Sequence, residues 1–176
     1  MMSDFYEFAL LFHINLDISN EEKNTLSYIV QGQGFNLSSK SINPCFSESA
    51  YTTTLPSGIP MVVVPAWHAF LRDGHSEFED YLPGSFGSSF SEDRLAARQI
   101  IHEDSFFNVW YDFGPWLAKV SLTAGLVGYY RNLEDESIEK TNLIYFKDGH
   151  MIERSNQNFQ SINNFLQNLE AILSEE

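Results

Sequence analysis

The sequence predicts an α+β fold: one domain, a mostly antiparallel sheet with two or three helices packed on it. Three observations carry this expectation. Hairpin signals recur, the best being Asp148-Gly149 between the apolar runs Leu143–Lys147 and His150–Arg154. Helical segments are interspersed among the strands without a regular βαβ alternation, which disfavours a parallel, doubly wound sheet. The chain also ends on a helical pattern, with Phe159, Ile162, Phe165, Leu166, Leu169, Ile172 and Leu173 recurring at helical spacing. With 176 residues and no internal repeat or linker, the domain is expected to span 1–176.

The elements follow in order. Phe5 to Leu16 reads as a strand, with Phe12, Ile14 and Leu16 alternating against His13, Asn15 and Asp17. A helix is expected from Ser19, where Ser19 and Glu22 form a capping box, to about Gln31, with Gly32 as its stop. Tyr51–Leu55 and Ile59–Val64 flank Pro56-Ser57-Gly58 as a second hairpin. Residues 71–90 read as a long loop. Ser91, followed by Glu92 and Asp93, predicts a second helix through about Ile101. Phe106–Phe113 and Leu126–Arg131 read as strands, and the helices are expected on one face of the sheet.

Charge is the most distinctive property of the composition. Twenty-four acidic and ten basic side chains give a net charge of −14. Such a chain lacks the cations that displace counterions from nucleic acid, and it is repelled by anionic lipid, so neither is an expected partner. The charge is divided. Residues 106–133 hold only Asp112, Lys119 and Arg131, together with eight large aromatic residues, while acids dominate both flanking regions. The opening residues lack the basic segment of a secretory signal, and a single cysteine, Cys45, cannot form an internal disulfide. Both features lead to the expectation of a cytoplasmic protein.

No catalytic signature emerges. Pro83–Ser89 is glycine-rich, but no Lys-Ser or Lys-Thr follows it, and Glu92 and Asp93 would repel a phosphate. His68, His75, Glu77, Glu79 and Asp80 gather in one loop without a spacing that demands a divalent ion. Cys45 has no basic neighbour to activate its thiol, and no serine sits in a nucleophile elbow. Neither a metal nor another cofactor is predicted. The aromatic run Trp110-Tyr111-Asp112-Phe113-Gly114-Pro115-Trp116 is expected to be mostly core, with any rings on its other face available to a partner.

The segment Leu143–Arg154, then Ser155-Asn156 and a helix carrying Phe165-Leu166, resembles the closing hairpin and helix of SUKH-type immunity proteins. The resemblance covers under a quarter of the chain, and the opening strand and capped helix depart from that family's helical start. What it implies is a protein that neutralises a toxin by binding it. Charge, excess aromatics and the missing catalytic signatures lead separately to the same class, an acidic domain that neutralises or escorts a basic protein partner. Glu77, Glu79 and Asp80, with Trp110, Tyr111 and Trp116, are its expected contacts. Two alternatives stand beside this one: a small enzyme with its site assembled around 68–80, and an accessory protein that forms a homodimer through the C-terminal helix.

Overall fold

The computed structural model describes residues 4–31, 51–63, 70–71, 87–135, 140–155 and 159–174. In chain order these form β1 (Phe5–His13), α1 (Asn20–Gln31), β2 (Tyr51–Thr54), β3 (Pro60–Val63), β4 (Gly87–Phe90) and β5 (Arg94–His102). There follow α2 (Glu103–Val120), β6 (Gly125–Asn132), β7 (Asn142–Lys147), β8 (His150–Ser155) and α3 (Phe159–Leu173). Six strands build one sheet in the order β4-β5-β1-β6-β7-β8, with every neighbouring pair antiparallel. The hairpin β2-β3 stands as a separate two-stranded sheet. The α+β class is therefore as the sequence predicts.

β1 is central because it is apolar on both faces. Phe8, Leu10 and Phe12 point to one side and Ala9 to the other, all buried. The larger core joins the first set to Leu26, Ile29 and Val30 of α1 and to Phe106, Val109, Trp110, Phe113 and Leu117 of α2. The smaller core joins Ala9, Ala96, Tyr129 and Leu143 to Ile162, Phe165 and Leu169 of α3. The helices thus divide between both faces, rather than lying on one. An antiparallel sheet whose central strands are apolar on both sides must be covered on both.

Three elements differ from the sequence expectation. Arg94–His102 is a strand, not a helix. Ser91, Glu92 and Asp93 form the turn between β4 and β5: Ser91 N–H donates to Arg94 O at 2.9 Å, and Ser91 Oγ bonds Asp93 Oδ1 at 2.9 Å. Ser, Asp and Glu serve tight turns as readily as helix starts, so the cap signal was ambiguous. Leu-Ala-Ala-Arg-Gln favours helix locally, yet pairing with both β1 and β4 overrides it.

The second difference is Phe106–Phe113, which lies within α2. Phe106, Val109, Trp110, Phe113 and Leu117 follow a 3.6-residue period and form its buried stripe. Pro115 is accommodated inside the helix. The third is Gly87–Phe90, expected as the end of the 71–90 loop, which is strand β4 because its backbone pairs with β5. The remaining elements form as expected. Ser19 Oγ accepts from Glu22 N–H at 3.1 Å while Glu22 Oε2 accepts from Ser19 N–H at 2.9 Å, the reciprocal capping box. Asp148 and Gly149 both have positive φ, 51° and 75°, as a two-residue hairpin requires.

Gly128 fixes how closely β6 approaches β1. A Cβ there would sit 2.1 Å from the Ala9 carbonyl oxygen, in backbone that cannot move aside. At Gly114 the obstacle is the Met151 side chain, which can rotate. Gly128→Ala is therefore expected to lower stability by about 3 kcal/mol in urea unfolding, while Gly114→Ala stays within about 1 kcal/mol of wild type.

Candidate functional site

Two clusters of polar and aromatic groups occupy opposite faces of the sheet. The first is buried. Glu7, on β1, is 1% exposed among apolar neighbours. Its Oε1 accepts from the Tyr129 hydroxyl at 2.6 Å and from Arg98 Nε at 2.9 Å, and its Oε2 accepts from Arg131 Nε at 2.6 Å. Arg98 also donates to Glu170 of α3 at 2.9 Å. Burial pushes the Glu7 carboxyl up, but the Tyr129 hydroxyl and the Arg131 and Arg98 guanidinium groups outweigh it and hold the group below the usual carboxylate range. Burial, then the Glu7 charge, pushes the Tyr129 phenol far up, so it stays a neutral donor. Every acceptor and charge is matched within the cluster, which ties β5, β1, β6 and α3 together.

The second cluster is partly open to solvent. Glu103, Phe107 and Tyr111 fall four residues apart and form one ridge of α2. Phe107 and Tyr111 stack with ring centroids 5.9 Å apart and planes 17° apart. Beneath them, the sheet contributes Tyr6 from β1, edge-on to Phe107 at 5.2 Å, and Tyr130 from β6, edge-on to Phe107 at 6.4 Å. Tyr111 is 57% exposed. Beside this ridge the sheet places the buried Tyr130 next to the half-buried Asn142 and Glu153.

Carboxylates rim these rings. Burial raises the Tyr6 phenol, and the charges of Glu103 and then Asp4 raise it further, against an opposing hydrogen bond from Asn132. Burial raises the Tyr130 phenol, and the nearby Glu153 carboxylate adds to it. Glu153 accepts from Trp110 Nε1 at 2.5 Å and from the Tyr130 hydroxyl at 3.2 Å. Among the described residues, no lysine or arginine pairs with Asp4, Glu103 or Glu153.

The expected contact residues separate. Tyr111 lies at the centre of this exposed flank. Trp110 and Trp116 are 0% and 5% exposed and belong to the larger core, where burial of their large rings outweighs display to a partner. Glu77, Glu79 and Asp80, the loop histidines His68 and His75, and Cys45 lie outside the described residues. No group of three potential metal ligands occurs among the described residues. The apolar stripe of α3 is directed at its own sheet, leaving Asn163, Asn164, Gln167 and Asn168 on its outer side. Sequence reasoning missed Asp4, Tyr6, Glu103, Phe107, Tyr130 and Glu153. The ridge was legible only through the i, i+4 spacing of Glu103, Phe107 and Tyr111, which has meaning once the segment is read as a helix.

No protein-family model, no curated protein and no solved structure matches the chain. No described helix is long and apolar enough to cross a membrane.

The buried cluster makes a prediction of its own. A group with a depressed folded-state pKa adds stability above its unfolded pKa and loses that contribution as pH falls through the folded value. Glu7→Gln is expected to destabilise the fold by about 3 kcal/mol at neutral pH, because two guanidinium groups lose their counter-charge. The difference between wild type and variant in urea midpoint should shrink as pH drops below 4.5, the ordinary value for this carboxyl.

Proposed function

We propose that this chain is an acidic protein-binding domain that takes a basic partner protein against the α2 flank at Tyr111, with the half-buried Tyr6 and Phe107 beside it. The observation that carries this reading is one exposed ring, Tyr111, backed by the half-buried Phe107 on a flank that carries Asp4, Glu103 and Glu153, carboxylates without a paired lysine or arginine among the described residues. Aromatic anchors surrounded by polar groups are the usual composition of binding hot spots. The net charge of −14 supports the same reading from long range, since it accelerates encounter with a cationic partner and suppresses anionic ones. A neutralising or escorting role, as for an immunity protein, is the form of binding that fits a fold with no assembled catalytic cluster among its described residues.

Tyr111 is exposed, so Tyr111→Ala should leave stability within about 1 kcal/mol of wild type. Affinity capture from the native host at physiological salt should yield a stoichiometric basic protein with the wild-type chain, and much less of it with Tyr111→Ala or Glu103→Gln. Capture of no stoichiometric partner, or of one that both variants hold equally well, defeats this reading.

A further inference from the structure

We propose that two copies of this chain pair through the outer edge of β2, joining their two-stranded hairpins into one sheet, β3-β2-β2-β3, across a two-fold axis at Thr53. This goes beyond the protein-binding reading above and depends on none of its residues. It starts from the backbone of the hairpin.

The Leu55 N–H donates to the Ile59 carbonyl at 2.9 Å, and the Gly58 N–H donates to the Leu55 carbonyl at 2.8 Å, with Gly58 at φ 81°. Hydrogen-bonded and non-bonded pairs alternate along an antiparallel ladder. Thr53 and Met61 are therefore bonded to each other, while Thr52↔Val62 and Thr54↔Pro60 direct their backbone groups outward. The two edges of the hairpin then differ. On the β3 side Pro60 has no N–H to offer, which blunts that edge against further pairing. On the β2 side Thr52 and Thr54 each present an N–H and a carbonyl, and no described strand takes them.

Access and charge favour a second copy as the occupant. Residues 54–61 are all exposed, with Leu55, Ile59 and Met61 at 39%, 59% and 40%. Chains with a net charge of −14 repel one another through their acidic surfaces. No Asp, Glu, Lys or Arg occurs between Glu48 and Arg72, so two hairpins meet without bringing like charges together. A two-stranded hairpin is marginal by itself, and doubling the strands relieves that. The register follows from the outward groups. Thr52 of each copy lies opposite Thr54 of the other and exchanges both N–H···O bonds with it, and the two Thr53 residues face each other at the axis. Both outer edges of the joined sheet are then β3 strands blunted by Pro60, so assembly closes at the dimer. The shared edge is short, which makes the dimer weak.

Sedimentation velocity of the full chain at about 150 mM salt should show monomer when dilute and dimer growing in with a midpoint on the order of 100 µM. Thr54→Pro removes an outward N–H but no bond inside the hairpin, and should keep the chain monomeric. Thr54→Val retains that N–H and should dimerise as wild type does. Cross-linking reads the register. In a Cys45→Ser background, Thr53→Cys should form a covalent dimer on mild oxidation, because facing non-bonded positions have Cα atoms about 4.5 Å apart, within disulfide reach. Leu55→Cys lies on the same face but further from the axis in both copies, and should not. Urea midpoints near wild type confirm that each variant folds. A monomer at every concentration overturns the proposal and leaves this edge to a strand from another protein. Thr54→Pro associating as strongly as wild type, or Leu55→Cys cross-linking as readily as Thr53→Cys, puts the contact elsewhere and overturns it equally.

Discussion

The fold depends on one buried carboxylate. Glu7 sits on the central strand, where both flanking strands and α3 converge, and an unpaired charge there would cost several kcal/mol. Arg98 reaches it from β5, and Arg131 and Tyr129 from β6, so one side chain spans three adjacent strands. Arg98 then extends the cluster to Glu170, which places α3 over this part of the sheet. Hydrophobic burial alone would let α3 slide along an apolar face. The Arg98–Glu170 pair favours one position of α3 along that face, a modest contribution because the Glu170 side chain is half exposed.

This arrangement divides the labour between the two faces of the sheet. The α3 side carries both the ion cluster and a small apolar core. The α1 and α2 side is filled by aromatic rings, with Phe8, Phe70, Phe106, Trp110 and Phe113 in mutual contact. A helix has a curved surface, and rings on its flank are covered only as far as the sheet beneath extends. Phe106 and Trp110 lie fully under that cover, Phe107 at its edge and Tyr111 beyond it. The exposed aromatic ridge is therefore continuous with the core, and its rigidity derives from that continuity.

What was legible in the sequence follows from how local each signal is. The capping box at Ser19, the Asp148-Gly149 turn and the apolar stripe of α3 are short-range patterns with one structural meaning, and each forms as expected. The Ser91-Glu92-Asp93 signal has two meanings, and only the pairing of β5 with β1 and β4 selects between them. The aromatic run is dense in rings that favour strands, although the 3.6-residue period beneath it is intact. The flank itself could not be read, because Tyr6 and Tyr130 meet Phe107 only through the register of β1 with β6 and the docking of α2. Glu7 was different in kind: an acid inside Phe-Tyr-Glu-Phe-Ala-Leu-Leu-Phe marks a charge that must be matched, without revealing by what.

Net charge and site geometry answer separate questions about recognition. A charge of −14 attracts any cation, and at physiological ionic strength its reach is limited to roughly 10 Å. Such a field raises encounter rates without distinguishing one basic surface from another. Discrimination requires groups held at fixed separations, and on this molecule the carboxylates of Glu92, Asp93 and Asp104 are exposed and individually weak. At the α2 flank, carboxylates adjoin rings that are fixed by the core, and Glu153 is further held by Trp110 and Tyr130. An acceptor whose position is already set loses little freedom when it pairs, so more of its interaction energy is left for binding. That difference separates this flank from the exposed carboxylates of the β4–β5 turn, and is the reason the proposed contact is placed there.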